Sequence, residues 1–471
     1  MMLTDKAQGD GEVKIVNKDK LLANAERITD RRAREIVLDF LEFALREADP
    51  KSLLVGKLRI EDDFLLVDSS RFDLNAFRRV IVIGAGKASG AMAEMLERTL
   101  KDRIKKGCII VPRGQGKKYE TKIISLREAT HPIPSNEGAE GSRTIINLVK
   151  DLAEEDLVLA LISGGASALM PLPVRGVTLQ EKQKVTDLLL KSGANINEIN
   201  AVRKHISEIK GGLLAKAAFP ATVISLIISD VVGDPLHVIG SGPTVPDEST
   251  FTLAKSVLEK YGIWNEVPNS IRNHVNAGIR GAVPETPKPS DEVFEKTFTA
   301  IIGSNRLVIQ SIVDKARESG LNALSLGSFI EGEARHVGNF LAGIGLQVKR
   351  FDIPVCRPAL VACGGETIVT VLGSGRGGRN QELVLSAAEK ISGSEGVAIA
   401  SIGSDGLDGP TDAAGAIADG DTVRKAESKG CDPSTYLKNN DSYNLFKEIG
   451  DLIVTGPTGT NVNDVMVMVI V

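Results

Sequence analysis

The segment Val80-Ile81-Val82-Ile83-Gly84-Ala85-Gly86-Lys87-Ala88-Ser89-Gly90 decides the fold of this chain. A β-branched run ends in glycines, and a helical pattern rich in Ala, Met and Leu follows. This order predicts a strand, a tight loop and a helix, the unit in which a helix N-terminus binds phosphate. For the fingerprint G-x-G-x-x-G the third glycine comes one residue late, and for G-x-x-x-x-G-K-[ST] the lysine comes too early. Lys87 therefore lies in the turn itself, where we expect it to meet a phosphate or a carboxylate.

The composition indicates a large α/β protein. With 471 residues the chain exceeds one ordinary core, so we expect two domains. Hydrophobic residues make up 42% of the chain and aromatic residues only 4%, which favours a core of Val, Ile, Leu and Ala. The net charge of −4 argues against a nucleic-acid-binding surface. No run approaches the ~18 apolar residues of a membrane span, so no membrane partner is expected.

The four cysteines form no C-x-x-C pair, and three of them lie in or beside apolar, strand-like runs. We therefore expect buried, reduced thiols in a cytoplasmic protein. The three cysteines in or beside apolar runs are Cys108, Cys356 and Cys363, and the fourth cysteine is Cys431.

Strand and helix patterns alternate over residues 31–285. Apolar runs such as Leu157–Ile162 and Val223–Ile228 have the length of buried strands, and helical stretches fill the gaps between strands. This alternation predicts an N-terminal Rossmann-like domain, a three-layer α/β/α arrangement with a mostly parallel sheet. Residues 1–30 are polar and predict a partly mobile extension that leads into a helix.

A proline-rich stretch at residues 281–291 predicts a linker between the two domains. Beyond it, residues 296–471 predict a C-terminal α/β domain with a mixed sheet, which begins with a strand at Thr297–Ile302. Within this domain, Thr367–Leu372 predicts a hairpin strand and Met466–Val471 predicts a final strand.

Polar loops follow several predicted strands of the first domain, at the edge where open α/β sheets bind ligands. Ser163-Gly164-Gly165-Ala166-Ser167 offers backbone N–H groups and two hydroxyls, which favours an anion site over a plain tight turn. Asp230 and Asp234 share a glycine-containing loop and suit either Mg²⁺ or turn chemistry. His131 lies in a rigid turn, where it either contacts a substrate or is structural.

A helix end over residues 200–212 concentrates basic side chains ahead of two glycines. Arg203, Lys204 and Lys210 suit an acidic ligand, but basic residues in a last turn also complement the helix dipole. The two interpretations, a ligand site near Gly211 and a solvated helix end, have equal weight here.

The second domain contains the strongest local signal after Lys87. Gly364–Thr367 ends a strand, and the loop Gly373–Glu382 combines four glycines, two arginines and Asn380-Gln381-Glu382. Arginine suits phosphate or carboxylate, so this loop predicts an anion site. Residues 405–412 add three carboxylates without EF-hand spacing, which favours positioning of a magnesium nucleotide or a substrate contact.

Together these segments resemble the class II glycerate kinases, the family with a C-terminal MOFRL domain. The match covers nearly the whole chain after about residue 30. Its most specific parts are Gly86-Lys87, His131-Pro132-Ile133-Pro134, Ser163–Ser167, Arg203–Gly212, Ser229–Asp234, Gly364–Thr367, Arg379–Glu382, Asp405–Asp412 and Thr455–Asn461. The resemblance implies transfer of the ATP γ-phosphate to D-glycerate, giving 2-phosphoglycerate. It also implies Mg²⁺ and an active site in the cleft between the two domains.

The resemblance also assigns roles to two residues, and the chemistry of phosphoryl transfer suggests roles for others. Lys87 and Arg379 match the two basic residues that such enzymes place at the site, and we expect Asp230 to act with them. Mg²⁺ is expected at Asp230, Asp234 and Asp412. Substrate or nucleotide contacts are expected from Gly86, Ser89, His131, Ser163, Gly164, Gly165, Ser167, Arg203, Lys210, Gly211, Glu366, Asn380, Glu382, Asp405 and Asp408.

Two other functions stay open. An NAD(P)-dependent hydroxypyruvate reductase would explain Gly84-Ala85-Gly86 after a strand, but the third glycine is misplaced. Val111-Pro112-Arg113 stands where an acidic residue is expected, although an arginine would suit NADP. A non-catalytic binding protein for sugar acids would explain the anion loops but not the carboxylates of both domains. The expected partners are D-glycerate and ATP, with a homodimer as one open possibility.

Overall fold

The described residues, 14–471, fold into two α/β units in this computed structural model. The parallel-sheet unit comprises Leu53–Gly303. The mixed-sheet unit comprises Ser304–Val471 together with residues 14–52. The predicted two-domain α/β architecture, with a Rossmann-like first sheet and a mixed second sheet, is confirmed.

The parallel-sheet unit is built on six strands in the order β6-β5-β4-β7-β8-β9, all parallel. Counted from β4, this is the strand order 3-2-1-4-5-6 of a doubly wound nucleotide-binding fold, and it reverses between β4 and β7. Ahead of it lies a small antiparallel sheet, β1-β2-β3, that the sequence did not predict. The strands are Leu58–Glu61 (β1), Phe64–Val67 (β2), Ser70–Asp73 (β3), Arg79–Ala85 (β4), Ile104–Pro112 (β5), Ile124–Ala129 (β6), Asp156–Ile162 (β7), Thr222–Ile228 (β8) and Thr297–Gly303 (β9).

Every residue of β7 is buried, as expected for a central strand of a sheet that is covered on both faces. Helix Pro50–Lys57 spans the boundary between the two units. The helices of the parallel-sheet unit are Ser89–Leu100, Asn136–Val149, Ala166–Leu169, Leu179–Lys191, Ile196–His205, Leu213–Ala218, Phe251–Lys260 and Asn269–Ile279. Single 3₁₀ turns lie at Leu74–Ala76, Lys101–Arg103, Gly116–Lys118, Ile239–Ser241, Trp264–Glu266 and Glu292–Lys296.

The mixed-sheet unit has the strand order β10-β12-β16-β13-β14-β15, with β11 paired to the end of β12. β10 and β11 run parallel to β12, and the other pairs are antiparallel. The strands are Asn322–Ser325 (β10), Ile330–Glu333 (β11), Ala359–Ile368 (β12), Val397–Gly403 (β13), Gly415–Asp419 (β14), Leu452–Ile453 (β15) and Asp464–Ile470 (β16). The helices are Lys18–Ala23, Ile28–Glu47, Asn305–Glu318, Ala334–Phe351, Arg379–Ile391, Thr422–Ser428, Pro433–Lys438 and Ser442–Ile449.

The predicted final strand is confirmed as β16, which is buried along its whole length between β12 and β13. The predicted hairpin strand at Thr367–Leu372 is wrong, because β12 continues without a turn to Ile368. Gly364 and Gly365 do not reverse the chain. Gly365 instead admits the backbone of β11, since a β-carbon at residue 365 would collide with the carbonyl of Ile330.

The division into units differs from the predicted domain boundaries in two places. Strand β9, expected to open the second domain, is the edge strand of the parallel sheet. Helix Ile28–Glu47, expected in the first domain, packs on β13 and β16 of the mixed sheet. Its amphipathic pattern predicts that one face is buried but cannot say against which sheet.

Arg34 attaches that helix to the mixed sheet. Its guanidinium is fully buried and bonds to two buried carboxylates, with Nε 2.6 Å from Asp419 Oδ2 and Nη1 2.6 Å from Asp451 Oδ1. Residues 1–13 of the predicted mobile extension lie outside the described residues. The next segment is held in place, since Asn17 Nδ2 donates to the carbonyl of Leu452 at 2.7 Å.

Candidate active site

Lys87 follows β4 at the point where the strand order of the parallel sheet reverses. Open α/β sheets bind their ligands at such switch points, outside the carboxyl ends of the strands. The turn before Lys87 requires glycine, because a β-carbon at Gly84 would collide with the carbonyl of Leu161 and one at Gly86 with Ser163. The Lys87 N–H donates to the carbonyl of Gly164 at 2.8 Å. The loops after β4 and β7 are thus held together, with Lys87 at their junction.

Ser163 and Ser89, both expected to contact a ligand, have partners within the protein. Ser163 Oγ accepts the N–H of Ala88 at 3.0 Å and lies 3.0 Å from Ser89 Oγ. Ser89 Oγ donates to the carbonyl of Leu161 at 3.1 Å. Both hydroxyls therefore stabilise the Lys87 turn through hydrogen bonds within the protein.

His131 and Asp230 lie against the two glycines after β7. A β-carbon at Gly165 would stand 2.9 Å from His131 Cδ2 and 3.6 Å from Lys87 Cγ, and one at Gly164 would collide with the Asp230 carboxylate. The structure therefore brings Lys87, His131 and Asp230 together around one turn. Burial and the charge of Lys87 lower the pKa of His131, which favours a neutral imidazole there.

Ser167, two residues beyond that turn, is bound by two cations. Lys210 Nζ donates to the Ser167 carbonyl at 3.0 Å and to its hydroxyl at 2.9 Å, and Arg203 also bonds to the hydroxyl. A third cation, Lys182, donates to the carbonyl of Ile206 at 2.9 Å. Burial lowers the pKa of Lys182 and Lys210 strongly, and lowers the pKa of Arg203 to about 10.

Sequence reasoning missed Lys182. The available signal was its position, since it lies on the buried stripe of helix Leu179–Lys191 with Leu179, Val185 and Leu189. A lysine at a core position of an amphipathic helix is unusual, because burying an ammonium group costs free energy. Such a position therefore indicates a specific role for the side chain.

The remaining basic and glycine residues of this region have structural roles. Lys204 forms a buried ion pair with Asp247 at 3.1 Å. Gly211 has a φ of +57° and its N–H donates to the carbonyl of Ser241 at 3.0 Å, so it is a turn residue that follows Lys210.

The three expected metal ligands do not form a metal site within either unit. No group of three or more His, Cys, Asp or Glu side chains in residues 14–471 is arranged to hold a metal ion. Asp412 belongs to the mixed-sheet unit, where its Oδ1 accepts the Tyr443 hydroxyl at 2.7 Å. Asp230 and Asp234 belong to the parallel-sheet unit, so neither unit alone supplies all three carboxylates.

In the mixed-sheet unit, Arg379 is bound by two carboxylates at the start of its helix. Its Nε lies 2.6 Å from Asp464 Oδ2, and its Nη1 donates to Glu366 Oε1 at 2.7 Å. Asp464 opens β16 and pairs in register with Gly365, near the end of β12, and with Gly403, the last residue of β13. Burial raises the pKa of Asp464 to about 7, although Arg379 acts in the opposite direction.

Asp408 caps the helix that Arg379 begins. Its two carboxylate oxygens accept the N–H groups of Asn380 at 3.0 Å and Gln381 at 2.9 Å. The Asn380 side chain then links Asp408 to Asp464, with both distances 3.1 Å. The helix N-terminus where an anion was expected therefore binds the protein's own carboxylate.

The other expected contacts in this unit bond to neighbouring segments. Glu382 is buried, lies 2.7 Å from Arg335 Nη2 and accepts Asn440 Nδ2 at 3.0 Å, so it joins two helices. Asp405 Oδ1 accepts the N–H of Leu407 at 3.1 Å in the turn after β13. Sequence reasoning missed Asp464, which lies just before the predicted final strand at Met466–Val471.

The predicted burial of the cysteines is confirmed for three residues and wrong for one. Cys108, Cys363 and Cys431 are buried free thiols, and burial raises the pKa of Cys363 to about 12. Cys356 is exposed, because it lies in the loop before β12 rather than in a strand. Within the part of the chain that the structure describes, we find no helix with the length and apolar character that crossing a membrane demands.

Two family models match the chain. The model described as a domain of unknown function (DUF4147) matches residues 36–276, and the model of the MOFRL family matches residues 359–464.

Similar proteins cover both units. A glycerate 2-kinase of Pyrococcus horikoshii is 43% identical, over 93% of this chain and 97% of that protein. A D-glycerate 2-kinase of Thermotoga maritima is 47% identical, over 83% of this chain and 91% of that protein. The crystal structure of a glycerate kinase from Thermotoga maritima superposes with a TM-score of 0.83 at 42% identity, over 93% of this chain and 99% of that one. A protein of Agrobacterium vitis, 39% identical over 94% of this chain and 95% of that protein, bears a provisional hydroxypyruvate reductase name.

Proposed function

The chain belongs to the MOFRL family of glycerate kinases, and from this membership we propose that it transfers the γ-phosphate of ATP to the 2-hydroxyl of D-glycerate, giving 2-phosphoglycerate. The observation that carries the proposal is the similarity to two glycerate 2-kinases, because it extends over more than four-fifths of each chain. The polar clusters around Lys87 and Arg379 are consistent with this chemistry, since phosphoryl transfer depends mainly on positioning and charge.

Lys87 is proposed to stabilise the transferring phosphoryl group. It lies in a turn that cannot accept β-carbons at Gly84 or Gly86, at the switch point of the parallel sheet. A fixed cation at such a position meets the charge that develops on the phosphoryl oxygens and needs no reorganisation during the reaction. The pKa of His131 is lowered, so that side chain adds no second positive charge beside Lys87.

Asp230 is proposed to orient the attacking hydroxyl and accept its proton. Its carboxylate lies against Gly164, whose carbonyl accepts the Lys87 N–H at 2.8 Å. A base on the same turn as the phosphate-binding cation suits in-line transfer from ATP to a bound hydroxyl.

Arg379 is proposed to bind an anionic group of glycerate or nucleotide through its remaining donors. A guanidinium has five N–H groups, and Asp464 and Glu366 engage its three nitrogens once each. These carboxylates fix the plane of the guanidinium, so it acts as a rigid hydrogen-bond donor more than as a net charge. The active-site cleft between the two domains stays a prediction, as do the cytoplasmic location and the homodimer.

Mg²⁺ is proposed to enter as part of the MgATP substrate. The described residues contain no group of three or more His, Cys, Asp or Glu side chains that is arranged to hold a metal ion. Magnesium retains several waters and is commonly held by one or two carboxylates together with substrate phosphates.

Hydroxypyruvate reduction is the competing function, favoured by the provisional name of the Agrobacterium vitis relative. One experiment separates the two activities. Purified protein is given D-glycerate with MgATP, and ADP formation is measured. In parallel, hydroxypyruvate is added with NADH or NADPH and oxidation of the nucleotide is followed. The proposal expects ADP with D-glycerate and no oxidation of either reduced nucleotide, and the reverse pattern would overturn it.

A further inference from the structure

A cavity of about 350 Å³ in the parallel-sheet unit is lined by three cations and by apolar side chains. Its volume is at the lower end for small-molecule sites. The cationic side consists of Lys182, Arg203 and Lys210 around Ser167. We call this cavity the basic pocket. Its apolar side includes Pro132, Ile133, Pro134, Pro171, Leu179 and Leu190.

The cations of the basic pocket have no carboxylate partner among the described residues. Lys182 is 5% exposed and Lys210 fully buried, yet their Nζ atoms bond only to carbonyls and to Ser167. The one acidic residue that lines the cavity, Asp187, forms an ion pair with Lys191 at 2.7 Å. The charge of Glu208 favours the ammonium form of Lys182, but none of the three basic side chains forms an ion pair within residues 14–471. A bound anion would therefore lower the free-energy cost of clustering them.

The basic pocket adjoins the Lys87 turn. Pro132, in its wall, follows His131, which lies against Gly165 beside Lys87, and Ser167 is two residues beyond Gly165. A ligand held by Ser167 and its cations would thus extend toward the proposed phosphoryl-transfer site. A lining that combines three basic side chains with proline and aliphatic side chains suits a short carbon chain that ends in an oxyanion.

We propose that the basic pocket binds the carboxylate of the acid substrate through Lys182, Arg203 and Ser167, and so restricts the kinase to hydroxy acids. Lys210, whose three donors are taken by Ser167 and Gly240, supplies its charge and holds Ser167 in place. This proposal rests on the proposed function, because the acid is the phosphoryl acceptor in that reaction. The nucleotide phosphates are the alternative anions, and the experiment below separates the two.

The titration behaviour of the two lysines supports the proposal. Burial and the neighbouring cations lower the pKa of Lys210, and burial and Arg203 lower the pKa of Lys182, while Glu208 raises it. An anion in the pocket would favour the charged form of both lysines.

The test replaces Lys182 by methionine, which has an unbranched side chain of similar length and no charge. Lys182→Met should raise the KM for D-glycerate about tenfold or more, the loss expected for one charge-assisted hydrogen bond, and change the KM for ATP less than twofold. The matched control is Lys184→Met, since Lys184 is exposed on the same helix and should leave both constants unchanged. Lys210→Met provides a second variant if the first does not fold.

The outcomes are distinct. A rise in the KM for ATP alone would assign the pocket to nucleotide phosphate, and unchanged constants in both pocket variants would show that the lysines are structural, so either result overturns the proposal. If the wild-type protein phosphorylates no D-glycerate, the proposed function fails, and calorimetric binding of D-glycerate and of inorganic phosphate decides the pocket separately. Loss of D-glycerate binding in Lys182→Met but not in Lys184→Met would support it, and equal binding in both would overturn it.

Discussion

The Nε atom of Arg379 lies 2.6 Å from Oδ2 of Asp464, although 84 residues separate the two along the chain. Asp464 is buried, while a third of the arginine side chain is exposed, so the carboxylate holds the guanidinium from the protein side. Asn380 bonds to the same carboxylate at 3.1 Å. Asp464 is therefore a positioning residue for Arg379, and its removal should change the orientation of the Arg379 guanidinium.

Asp464→Asn should lower kcat at least tenfold, because the guanidinium loses the ion pair that fixes its plane. The same change should lower the free energy of unfolding by roughly 1–3 kcal/mol, the cost of losing a hydrogen bond to a charged group. Steady-state kinetics and urea unfolding measure the two effects. Asp464→Asn combined with Arg379→Ala should be no slower than Arg379→Ala alone, and a further drop in the double variant would show that Asp464 acts independently.

The raised pKa of Asp464 predicts a pH dependence of stability. A folded-state pKa of about 7, above that of the unfolded chain, means that the folded state binds the extra proton. The contribution of this group to stability is therefore complete below about pH 4 and is lost as the pH rises through about 7. Thermal unfolding of wild type and Asp464→Asn across pH 5–8 should give a smaller loss with rising pH in the variant; parallel curves would contradict the raised pKa.

Lys87→Ala and Arg379→Ala should each reduce kcat by about 100-fold or more, the usual cost of removing a group that stabilises transition-state charge. Both variants should keep the wild-type circular dichroism spectrum. Lys105→Ala and Arg350→Ala serve as controls, because both residues are exposed and lie outside the two polar clusters. Near-normal kinetics in either Lys87→Ala or Arg379→Ala would argue against a reaction that uses both residues.

Arg34→Met should destabilise the mixed-sheet unit by roughly 3–5 kcal/mol, since it leaves two buried carboxylates without their partner. Arg32→Met is the matched control, because Arg32 is exposed on the same helix and should change stability by less than about 0.5 kcal/mol. Hydrogen exchange should show the loss of protection in β14 and β16 and not in β4 or β7. Uniform loss across both sheets would mean that the helix does not belong to the mixed-sheet unit alone.

The Lys87 turn could be predicted from sequence because all of its signals are local. A β-branched run, glycines and a helical pattern fall within 11 consecutive residues, and the structure places them as a strand, a turn and a helix. The strand order, which puts the turn beside the loop after β7, follows from the general rule for such sheets.

The partners of Arg379 and the basic pocket depend on contacts between distant segments. Nothing local to Asp464 indicates that β16 enters the sheet between β12 and β13, so its pairing with Arg379 could not be expected. The position of Lys182 on the buried stripe of its helix was a local signal, but it does not indicate that Arg203 and Lys210 line the same cavity. Helix Ile28–Glu47 shows the same limit. Its amphipathic sequence predicts that one face is buried, but it does not indicate which sheet covers that face.

The most direct test of the central claim is the identity of the phosphorylated product. Purified protein is incubated with D-glycerate, ATP and Mg²⁺, and the products are examined by phosphorus NMR, with Lys87→Ala treated identically. We expect 2-phosphoglycerate and ADP from the wild-type protein and almost none from the variant. Exclusive formation of 3-phosphoglycerate, or no phosphoglycerate together with oxidation of NADH or NADPH by hydroxypyruvate, would contradict the assignment.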